Sequence, residues 1–241
     1  MVSLGAGLNT VGIDTTRLRR WYFGAAGRLL GLRVIVRGRL SDARPKLVVA
    51  NHISYFDIFV LGGTVHGTFV GKSEIASWPL FGLFSRVAEV VFIDRRRTAT
   101  HHARDRMRRR MERGHTLILF PESTSNDGNH VRPFKSALFT VAEQAAGNRE
   151  PMTVQPVSVA YTRLNGMPMG VGWRPFVAWY GDMDLMPHVW QALRLGKVTV
   201  EVTFHEPVTS TAFADRKALA RHCQLVTKHG VARSLMGRHA A

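Results

Sequence analysis

Three short runs of the sequence are apolar without interruption, and they constrain the fold more than any other feature. The runs are Leu47–Ala50, Val90–Ile93 and Leu117–Phe120. A strand with one solvated face alternates apolar and polar residues, whereas a strand covered on both faces is apolar throughout. The three runs therefore predict central strands of a sheet that carries helices on both sides.

Helix-like stretches separate the strand-like runs along the chain. We predict strands at Arg33–Arg37, Lys46–Ala50, Thr68–Val70, Glu89–Ile93, His115–Phe120, Thr153–Tyr161 and Val198–Phe204, and helices at 56–65, 78–86, 98–113, 135–146, 184–194 and from 210 or 211 to about 236. The last strand alternates apolar and polar residues, which predicts one solvated face. Strands alternating with helices predict a single α/β domain with a mainly parallel central sheet flanked by helices.

The chain carries a large positive charge. Lysine and arginine number 33 against 17 aspartates and glutamates, which gives a formal net charge of +16, and only six of the 33 are lysines. Arginine binds phosphate and carboxylate groups in planar, bidentate pairs. The composition therefore predicts a partner that bears negative charge, such as anionic lipid head groups, an acidic carrier protein or nucleic acid.

Residues 1–32 predict an N-terminal tail followed by a basic amphipathic helix. From Thr16 onward, arginines alternate with leucines and aromatic residues such as Trp21 at helical period, although Gly24 and Gly27 weaken the helix prediction. Such a helix lies in a membrane interface with its arginines on anionic head groups, or packs its apolar face on the domain. No apolar stretch reaches the length of a membrane-spanning helix. We expect a protein that is peripheral to the cytoplasmic face of the membrane.

A histidine and an aspartate follow the first central strand. His52 stands where the strand ends, with Asn51 between it and Ala50, and Asp57 follows it after four intervening residues at the predicted start of a helix. That spacing allows the carboxylate to turn back and bond one ring nitrogen, which leaves the other nitrogen free to take a proton. His52 is therefore a candidate general base for activating a hydroxyl group. A capped helix start or a buried polar contact is the other interpretation of such a pair.

Charged residues also follow the other two central strands. Arg95 comes after the second and Glu122 after the third, where Ser123, Thr124 and Ser125 extend the polar stretch. The ends of parallel strands share one edge of a sheet, so a base, a cation and a carboxylate are predicted to converge on one crevice. Taken alone, the 122–125 stretch is also typical of a polar loop bonded to its own backbone.

Four blocks of the sequence together resemble the glycerolipid acyltransferase family, whose best-known members are bacterial 1-acylglycerol-3-phosphate acyltransferases. Asn51-His52-Ile53-Ser54-Tyr55-Phe56-Asp57 is similar to the family's Asn-His-x4-Asp block, and Phe120-Pro121-Glu122-Ser123-Thr124 to its third block. Gly71-Lys72-Ser73-Glu74, followed by Trp78-Pro79-Leu80-Phe81-Gly82 and Phe92-Ile93-Asp94-Arg95, resembles the second, and Val154-Gln155-Pro156-Val157 the fourth. The resemblance covers about Leu30 to Val208. It implies the glycerolipid acyltransferase fold, with residues 33–241 as the acyltransferase domain.

The resemblance also implies a mechanism and a set of site residues. His52, oriented by Asp57, deprotonates an acceptor hydroxyl that attacks an acyl thioester, without an acyl-enzyme intermediate. Arg95 binds the acceptor's phosphate, Glu122 positions the acceptor, and Pro156 belongs to the acyl-chain side of the site. The implied substrate-binding set is completed by Lys72, Ser123 and Thr124. Backbone amides at the helix start after His52 are candidates to stabilise the oxyanion. No metal or cofactor is implied; acyl carrier protein or coenzyme A carries the acyl group.

The identity of the acceptor lipid is left open by two departures from the family pattern. Ser123 stands where the family usually has glycine, and Ser125 stands where it often has a phosphate-binding arginine. The family as a whole favours 1-acyl-sn-glycerol-3-phosphate as acceptor, giving phosphatidic acid. The stretches 123–139, 155–170 and 178–190 instead resemble the lyso-ornithine lipid acyltransferase branch, whose acceptor hydroxyl is on a 3-hydroxy fatty acid.

Three further features complete the predictions. The arginine-rich stretch Arg95–Arg113 and the high charge give a distant alternative, a non-enzymatic nucleic-acid-binding protein, although no zinc-ligand spacing or RNA-binding aromatic signature accompanies them. Cys223 is the only cysteine, so the sequence predicts no intramolecular disulfide, and we expect this residue to be buried structural filler in the last helix. His205 is predicted to be an ordinary hydrogen-bonded histidine.

Overall fold

The fold is built on one nine-stranded sheet in a computed structural model that describes residues 15–72, 91–93, 109–111, 113–140, 142 and 151–238. The strands are β1 (Leu32–Arg37), β2 (Lys46–Ala50), β3 (Thr68–Lys72), β4 (Val91–Ile93), β5 (Thr116–Leu119), β6 (Thr153–Leu164), β7 (Met167–Pro168), β8 (Val198–Phe204) and β9 (Val208–Thr209). The α-helices are α1 (Thr15–Leu29), α2 (Phe56–Thr64), α3 (Leu185–Leu193) and α4 (Arg216–Leu235). Short 3₁₀ turns cover Ser136–Phe139, Arg174–Phe176 and Ser210–Ala212.

The sheet is mostly parallel, as the sequence predicted. Its main path runs β1-β8-β6-β2-β5-β3-β4, and β7 and β9 pair with β6 at the ends. The neighbours β6, β2, β5, β3 and β4 all run in the same direction, while β8 runs antiparallel to β6. The α/β class with flanking helices is confirmed. Of the predicted helices, the one at 78–86 and most of the one at 98–113 lie outside the described residues.

The predicted solvated face of β8 is wrong. All of its residues except Thr203 are buried, including Thr199 and Glu201. The carboxylate of Glu201 accepts a hydrogen bond from Nε of Arg37 on neighbouring β1 at 3.1 Å. A buried polar face is tolerated when its groups are paired in this way. The period-two alternation therefore indicated the two sides of the strand but not which of them meets water.

The close packing of α1 on α2 depends on two glycines of α2. A Cβ on Gly63 would lie 3.2 Å from Cα of Gly24, and a Cβ on Gly62 would lie 2.7 Å from the ring of Phe23. Glycine at these two positions of α2 lets the helix backbones approach closely, whereas a Cβ on Gly24 would have no heavy atom within 4 Å. The helix α1 forms in spite of the low helix propensity of its own glycines. Leu32 begins β1 almost at once, and the domain boundary placed at residue 32 stays a prediction.

The exposed surface of α1 is apolar and basic together. Trp21 is 67% exposed and Leu29 is 88% exposed, and the exposed side chains beside them include Arg20 and Arg28. One face of the helix packs on the domain, and the other presents apolar and cationic groups to the surroundings. The membrane-interface interpretation of that second face stays a prediction.

The helix α4 covers the opposite face of the sheet. Cys223 in this helix is fully buried, as expected, and burial raises the pKa of its thiol to about 12. The sulfur therefore remains a protonated packing group. His205, at the end of β8, lies 2.6 Å from Oγ of Ser158 through its Nε2, and burial lowers the pKa of its imidazole to about 4. The prediction of an ordinary hydrogen-bonded histidine is confirmed.

Candidate active site

The carboxyl ends of four parallel strands meet at one edge of the sheet. His52 follows β2, Glu122 follows β5, and Lys72 is the last residue of β3. Arg95 comes two residues after the end of β4 but lies outside the described residues, as does the side chain of Lys72. The predicted convergence is therefore described for His52 and Glu122, at the edge where α/β sheets bind their ligands.

The side chains of His52 and Asp57 are in direct contact. Nδ1 of His52 lies 2.8 Å from Oδ2 of Asp57, and the Asp57 side chain is fully buried. Because an ionised carboxylate only accepts hydrogen bonds, Nδ1 carries the proton and Nε2 is the free acceptor. The contact that the spacing predicted is confirmed. The strand-turn-helix connection produces it, because α2 begins at Phe56 and brings Asp57 back over the turn.

Four donors hold the buried Asp57 carboxylate. Besides His52, Oδ2 accepts from the backbone amides of Ile53 at 2.7 Å and Ser54 at 3.0 Å, and Oδ1 accepts from the hydroxyl of Tyr161 at 2.8 Å. Hydrogen bonds to an ionised group stabilise it against the desolvation that burial imposes. The arrangement is suited to keeping a charged carboxylate in one orientation beside the imidazole.

Four backbone amides of this turn are already hydrogen-bonded within it, so they cannot stabilise an oxyanion. The amides of Ile53 and Ser54 donate to Asp57, while the amides of Asp57 and Ile58 donate to the carbonyls of Ser54 and Tyr55. The sequence-based expectation for the helix start is therefore wrong for these four amides, because the turn itself uses them.

Among the described residues, none bonds the outer nitrogen of His52. The imidazole stacks on the ring of Phe120 with 4.2 Å between centroids, and the His52 side chain is 21% exposed. No hydrogen bond to Nε2 comes from the part of the chain that the structure describes. The ring is thus held by Phe120 on its face and by Asp57 at Nδ1, with Nε2 available to a hydroxyl group.

Glu122 is buried and ties two loops together. Its side chain accepts hydrogen bonds from the backbone amide of His52 at 2.9 Å, from Nδ2 of Asn126 at 2.8 Å and from the backbone amide of Arg132 at 3.0 Å. Burial raises the pKa of Glu122 above its usual range, and the three donors offset part of that rise. In this structure Glu122 positions the His52 loop; the direct contact with an acceptor stays a prediction.

The 123–125 stretch adopts a fixed turn beside Glu122. Ser123 has a φ of 63°, in the left-handed region that favours glycine, which accounts for the family's usual glycine at this position. Thr124 is exposed, whereas Ser125 is buried and donates its hydroxyl hydrogen bond to the carbonyl of Trp179. Ser123 and Thr124 therefore remain candidates for substrate contact, while Ser125 supports the segment that contains Trp179.

Pro156, the last of the predicted site residues, lies deeper in the sheet than His52. Pro156 is buried within β6 and pairs with Val49, below the level of His52 in the neighbouring strand. Its side chain is part of the sheet interior, and its assignment to the acyl-chain side stays a prediction.

Three residues of the site were missed from the sequence. Asn51 bonds the backbone of Val159 twice, at 2.8 and 2.9 Å, and so fastens the end of β2 to β6. The backbone amide and the side-chain Nδ2 of Asn126 both donate hydrogen bonds to the carbonyl oxygen of His52. Tyr161 reaches Asp57 from 104 residues away in the chain. These contacts depend on the pairing of strands, and no local pattern indicates them.

The fold and the site together define an α/β enzyme with a histidine–carboxylate pair at the carboxyl edge of its sheet. The sequence profile of the Acyltransferase family matches residues 32–160, a span that holds the described dyad, Glu122 and Pro156. The chain belongs to the acyltransferase family. It is an acyltransferase rather than a non-enzymatic nucleic-acid binder.

Similar proteins agree with this membership. A lyso-ornithine lipid O-acyltransferase from Brucella abortus is 44% identical over 226 residues, which cover 92% of this chain and 84% of the relative. A 1-acyl-sn-glycerol-3-phosphate acyltransferase from Neisseria gonorrhoeae is 32% identical over 193 residues, covering 79% and 70%. The crystal structure of the 1-acyl-sn-glycerophosphate (LPA) acyltransferase PlsC from Thermotoga maritima superimposes with a TM-score of 0.66 and 25% identity, covering 94% of this chain and 81% of that one. The resemblance stated from the sequence blocks is confirmed.

Proposed function

We propose that this acyltransferase moves a fatty acyl group from an acyl thioester to the hydroxyl of a lysolipid, with His52 and Asp57 as the general-base pair. The observation that carries the proposal is the bond between Nδ1 of His52 and the fully buried Asp57, which leaves Nε2 without a partner among the described residues. In a family that transfers acyl groups, a base of this kind activates the accepting hydroxyl.

The proposed reaction is a direct transfer. Nε2 of His52 takes the proton of the acceptor hydroxyl as its oxygen attacks the thioester carbonyl, and the tetrahedral intermediate collapses by breaking the carbon–sulfur bond. The thiolate leaves and receives the proton from His52, which restores the neutral imidazole. Asp57 stays ionised and stabilises the imidazolium between the two steps. Cys223, the only cysteine, is buried in α4 across the sheet, which suits a mechanism without a cysteine acyl-enzyme.

We propose a lyso-ornithine lipid as the acceptor, in place of the 1-acyl-sn-glycerol-3-phosphate that the family as a whole favours. The support is the 44% identity to the Brucella abortus relative with that activity in its name. It agrees with Ser125, which occupies the position of a phosphate-binding arginine and is committed to the carbonyl of Trp179. The second candidate, 1-acyl-sn-glycerol-3-phosphate, is favoured by the Neisseria gonorrhoeae relative and by the predicted role of Arg95.

The donor and the location are proposed on charge. Acyl carrier protein and coenzyme A are both anionic, and a protein with a net charge of +16 attracts either of them. None of the described helices is both long enough and apolar enough to cross a bilayer. We place the enzyme peripherally at the cytoplasmic face of an anionic membrane, with the exposed residues Trp21 and Leu29 of α1 in the interface and Arg20 and Arg28 on head groups.

The proposed acceptor predicts that the enzyme is more active on lyso-ornithine lipid than on 1-acyl-sn-glycerol-3-phosphate. Purified enzyme with a radiolabelled acyl thioester is expected to show kcat/KM at least about tenfold higher with lyso-ornithine lipid than with 1-acyl-sn-glycerol-3-phosphate, since Ser125 supplies no cation at a position where the family often has a phosphate-binding arginine. Thin-layer separation of the labelled products measures both reactions in one series, with acyl carrier protein and coenzyme A thioesters as alternative donors. Equal or reversed acceptor preference would contradict the proposed acceptor and leave the family reaction in place.

A further inference from the structure

The segment from Met167 to Leu193 exposes an unusual number of large apolar side chains. The exposed members are Met167, Val171, Trp173, Phe176, Met183, Met186, Trp190 and Leu193, and we call them the 167–193 face. Met167 is 72% exposed and Trp190 is 61% exposed. The rings of Trp173 and Phe176 are 5.4 Å apart, and Phe176 and Met183 border one cavity of about 360 Å³ with the start of α3. An exposed apolar surface of this extent marks an interaction site.

The helix α3 is apolar on both sides. His188 and Ala192 are buried against the domain, whereas Met186, Trp190 and Leu193 lie four and three residues apart along the exposed side. Residues at this spacing share one face of a helix. A helix that packs only on its own domain has polar residues on its outer side. The outer side of α3 is apolar instead, which indicates that it contacts a second apolar partner.

The 167–193 face is attached to the catalytic loops. The backbone amide of Trp179 donates to the carbonyl of Ile53 at 3.0 Å, next to His52, and Ser125 bonds the carbonyl of Trp179. The hydroxyl of Tyr55 and Nδ1 of His188 on α3 lie 3.1 Å apart. Whatever binds the face is therefore held at a fixed position relative to the imidazole of His52.

Cationic side chains border the face at the end of α3, while the exposed carboxylates Asp182 and Asp184 precede that helix. The guanidinium of Arg194 lies over the ring of Trp190 at 4.9 Å, and Lys197 follows in the turn to β8. The same turn contacts the end of α1, because the carbonyl of Gly31 accepts the amide of Val198 at 2.9 Å. The exposed apolar and arginine side chains at the end of α1 thus border the same end of the sheet. Tryptophan beside cationic residues is typical of membrane interfaces.

We propose that the 167–193 face is a bilayer-docking surface that inserts Trp173, Met186 and Trp190 into the interface of an anionic membrane. This inference rests on the proposed function, because it explains how a lysolipid whose acyl chain stays in the bilayer reaches the base at the sheet edge. The face and α1 then lie on one membrane plane, and the face sets the distance between that plane and the catalytic loop.

The test replaces two apolar side chains of α3 by polar ones. The double variant M186Q/W190Q is expected to lose at least about tenfold in partition to vesicles of phosphatidylglycerol and phosphatidylcholine, measured by flotation, since two large side chains leave the interface. Turnover of vesicle-embedded lysolipid is expected to fall at least about tenfold more than turnover of detergent-dispersed lysolipid. The matched control is L225Q, which changes an exposed leucine on α4 against the other face of the sheet.

Several outcomes would overturn the docking surface. Unchanged vesicle partition of M186Q/W190Q would do so, and so would equal loss of turnover in vesicles and detergent with an intact fold. Loss of a dimer on size-exclusion chromatography, with vesicle binding unchanged, would assign the face to a second copy of the chain. A wild-type protein that binds vesicles through this face but transfers no acyl group would end the proposed function while upholding the surface.

A second inference concerns Tyr161, and it rests on a different observation. Of the described residues, Tyr161 alone donates to Oδ1 of Asp57, at 2.8 Å, and its side chain is fully buried in β6. The strand is fastened to β2 by Asn51, whose amide bonds both backbone groups of Val159. The geometry points to Tyr161 as a positioning residue that fixes Asp57 and, through it, the imidazole of His52.

Removing the hydroxyl tests this role. Y161F is expected to lower kcat about tenfold with little change in KM, the size expected for a hydrogen bond to a buried charge that touches no substrate. Proton NMR is expected to show the downfield Nδ1 proton of His52 displaced or lost. The control Y22F removes the hydroxyl of a tyrosine on α1, whose ring packs edge-on against Phe23 at 5.5 Å between centroids, and it is expected to leave kcat and the Nδ1 signal unchanged.

A second variant carries 3-fluorotyrosine at position 161, which retains both the aromatic ring and the hydroxyl group. This variant provides the test if Y161F does not fold. The more acidic hydroxyl is expected to move the same Nδ1 signal. A kcat within twofold of wild type together with an unmoved signal, in whichever of the two proteins folds, would overturn the positioning role.

Discussion

A His52→Ala variant is expected to lose acyl transfer by about 10²- to 10⁴-fold, the contribution of a general base, while its fold is retained. The loss follows because no other described side chain is placed to take the acceptor proton at the position of Nε2. The fold survives because the Asp57 carboxylate keeps the amides of Ile53 and Ser54 and the hydroxyl of Tyr161. Initial rates with the labelled thioester, together with circular dichroism and thermal unfolding, measure both parts.

The matched control for this variant is His222→Ala. His222 packs against the ring of Phe213 with 5.0 Å between centroids, as His52 packs against Phe120, but it lies on α4. The control is expected to keep its activity within about twofold, since a surface change away from the site has a small effect. Turnover by His52→Ala near the wild-type rate, with acyl thioester consumed in step with product, would refute the general-base assignment.

An Asp57→Asn variant is expected to reduce kcat by about 10²- to 10⁴-fold with the geometry of the turn preserved. The amide oxygen can take the place of Oδ2 and accept from His52, Ile53 and Ser54, and the amide nitrogen can face the hydroxyl of Tyr161. What is lost is the negative charge that stabilises the imidazolium while the proton resides on His52. Because Asp57 is fully buried, no solvent ion can replace that charge.

The matched control for the aspartate is Asp215→Asn. Asp215 caps the start of α4 and accepts the amide of Ala218 at 2.8 Å, so it shares the position of Asp57 at a helix start but has no histidine partner. Its replacement is expected to change stability by less than about 1 kcal/mol and to leave turnover unaltered. A rate for Asp57→Asn close to that of Asp215→Asn would show that the Asp57 carboxylate serves only the helix start.

The features that could be predicted from the sequence are those that arise locally. The strands β2 and β8 were predicted at their observed bounds, because an apolar run or a strict alternation is written in consecutive residues. The contact of His52 with Asp57 was predictable for the same reason, since a single turn connects them. The parallel order of the strands followed from the alternation of strands and helices.

The features that the sequence did not indicate depend on distant pairing. The burial of Glu201 required Arg37 on a strand 164 residues away, and the hydroxyl of Tyr161 meets Asp57 only because β6 lies beside β2. Glu122 illustrates a different difficulty. Its carboxylate was assigned to a ligand, but strand pairing places the backbone of His52 within its reach. A motif thus predicts which side chains lie close together more readily than it predicts the hydrogen-bond partner of each side chain.

The contact of Ser125 with the carbonyl of Trp179 has a consequence for how this enzyme could change its substrate. An arginine introduced at position 125 would have to break the hydrogen bond that seats the Trp179 segment on the His52 loop. Selectivity for a phosphorylated acceptor therefore cannot be installed by that exchange alone. An engineering effort that places arginine there must also rebuild the segment around Trp179.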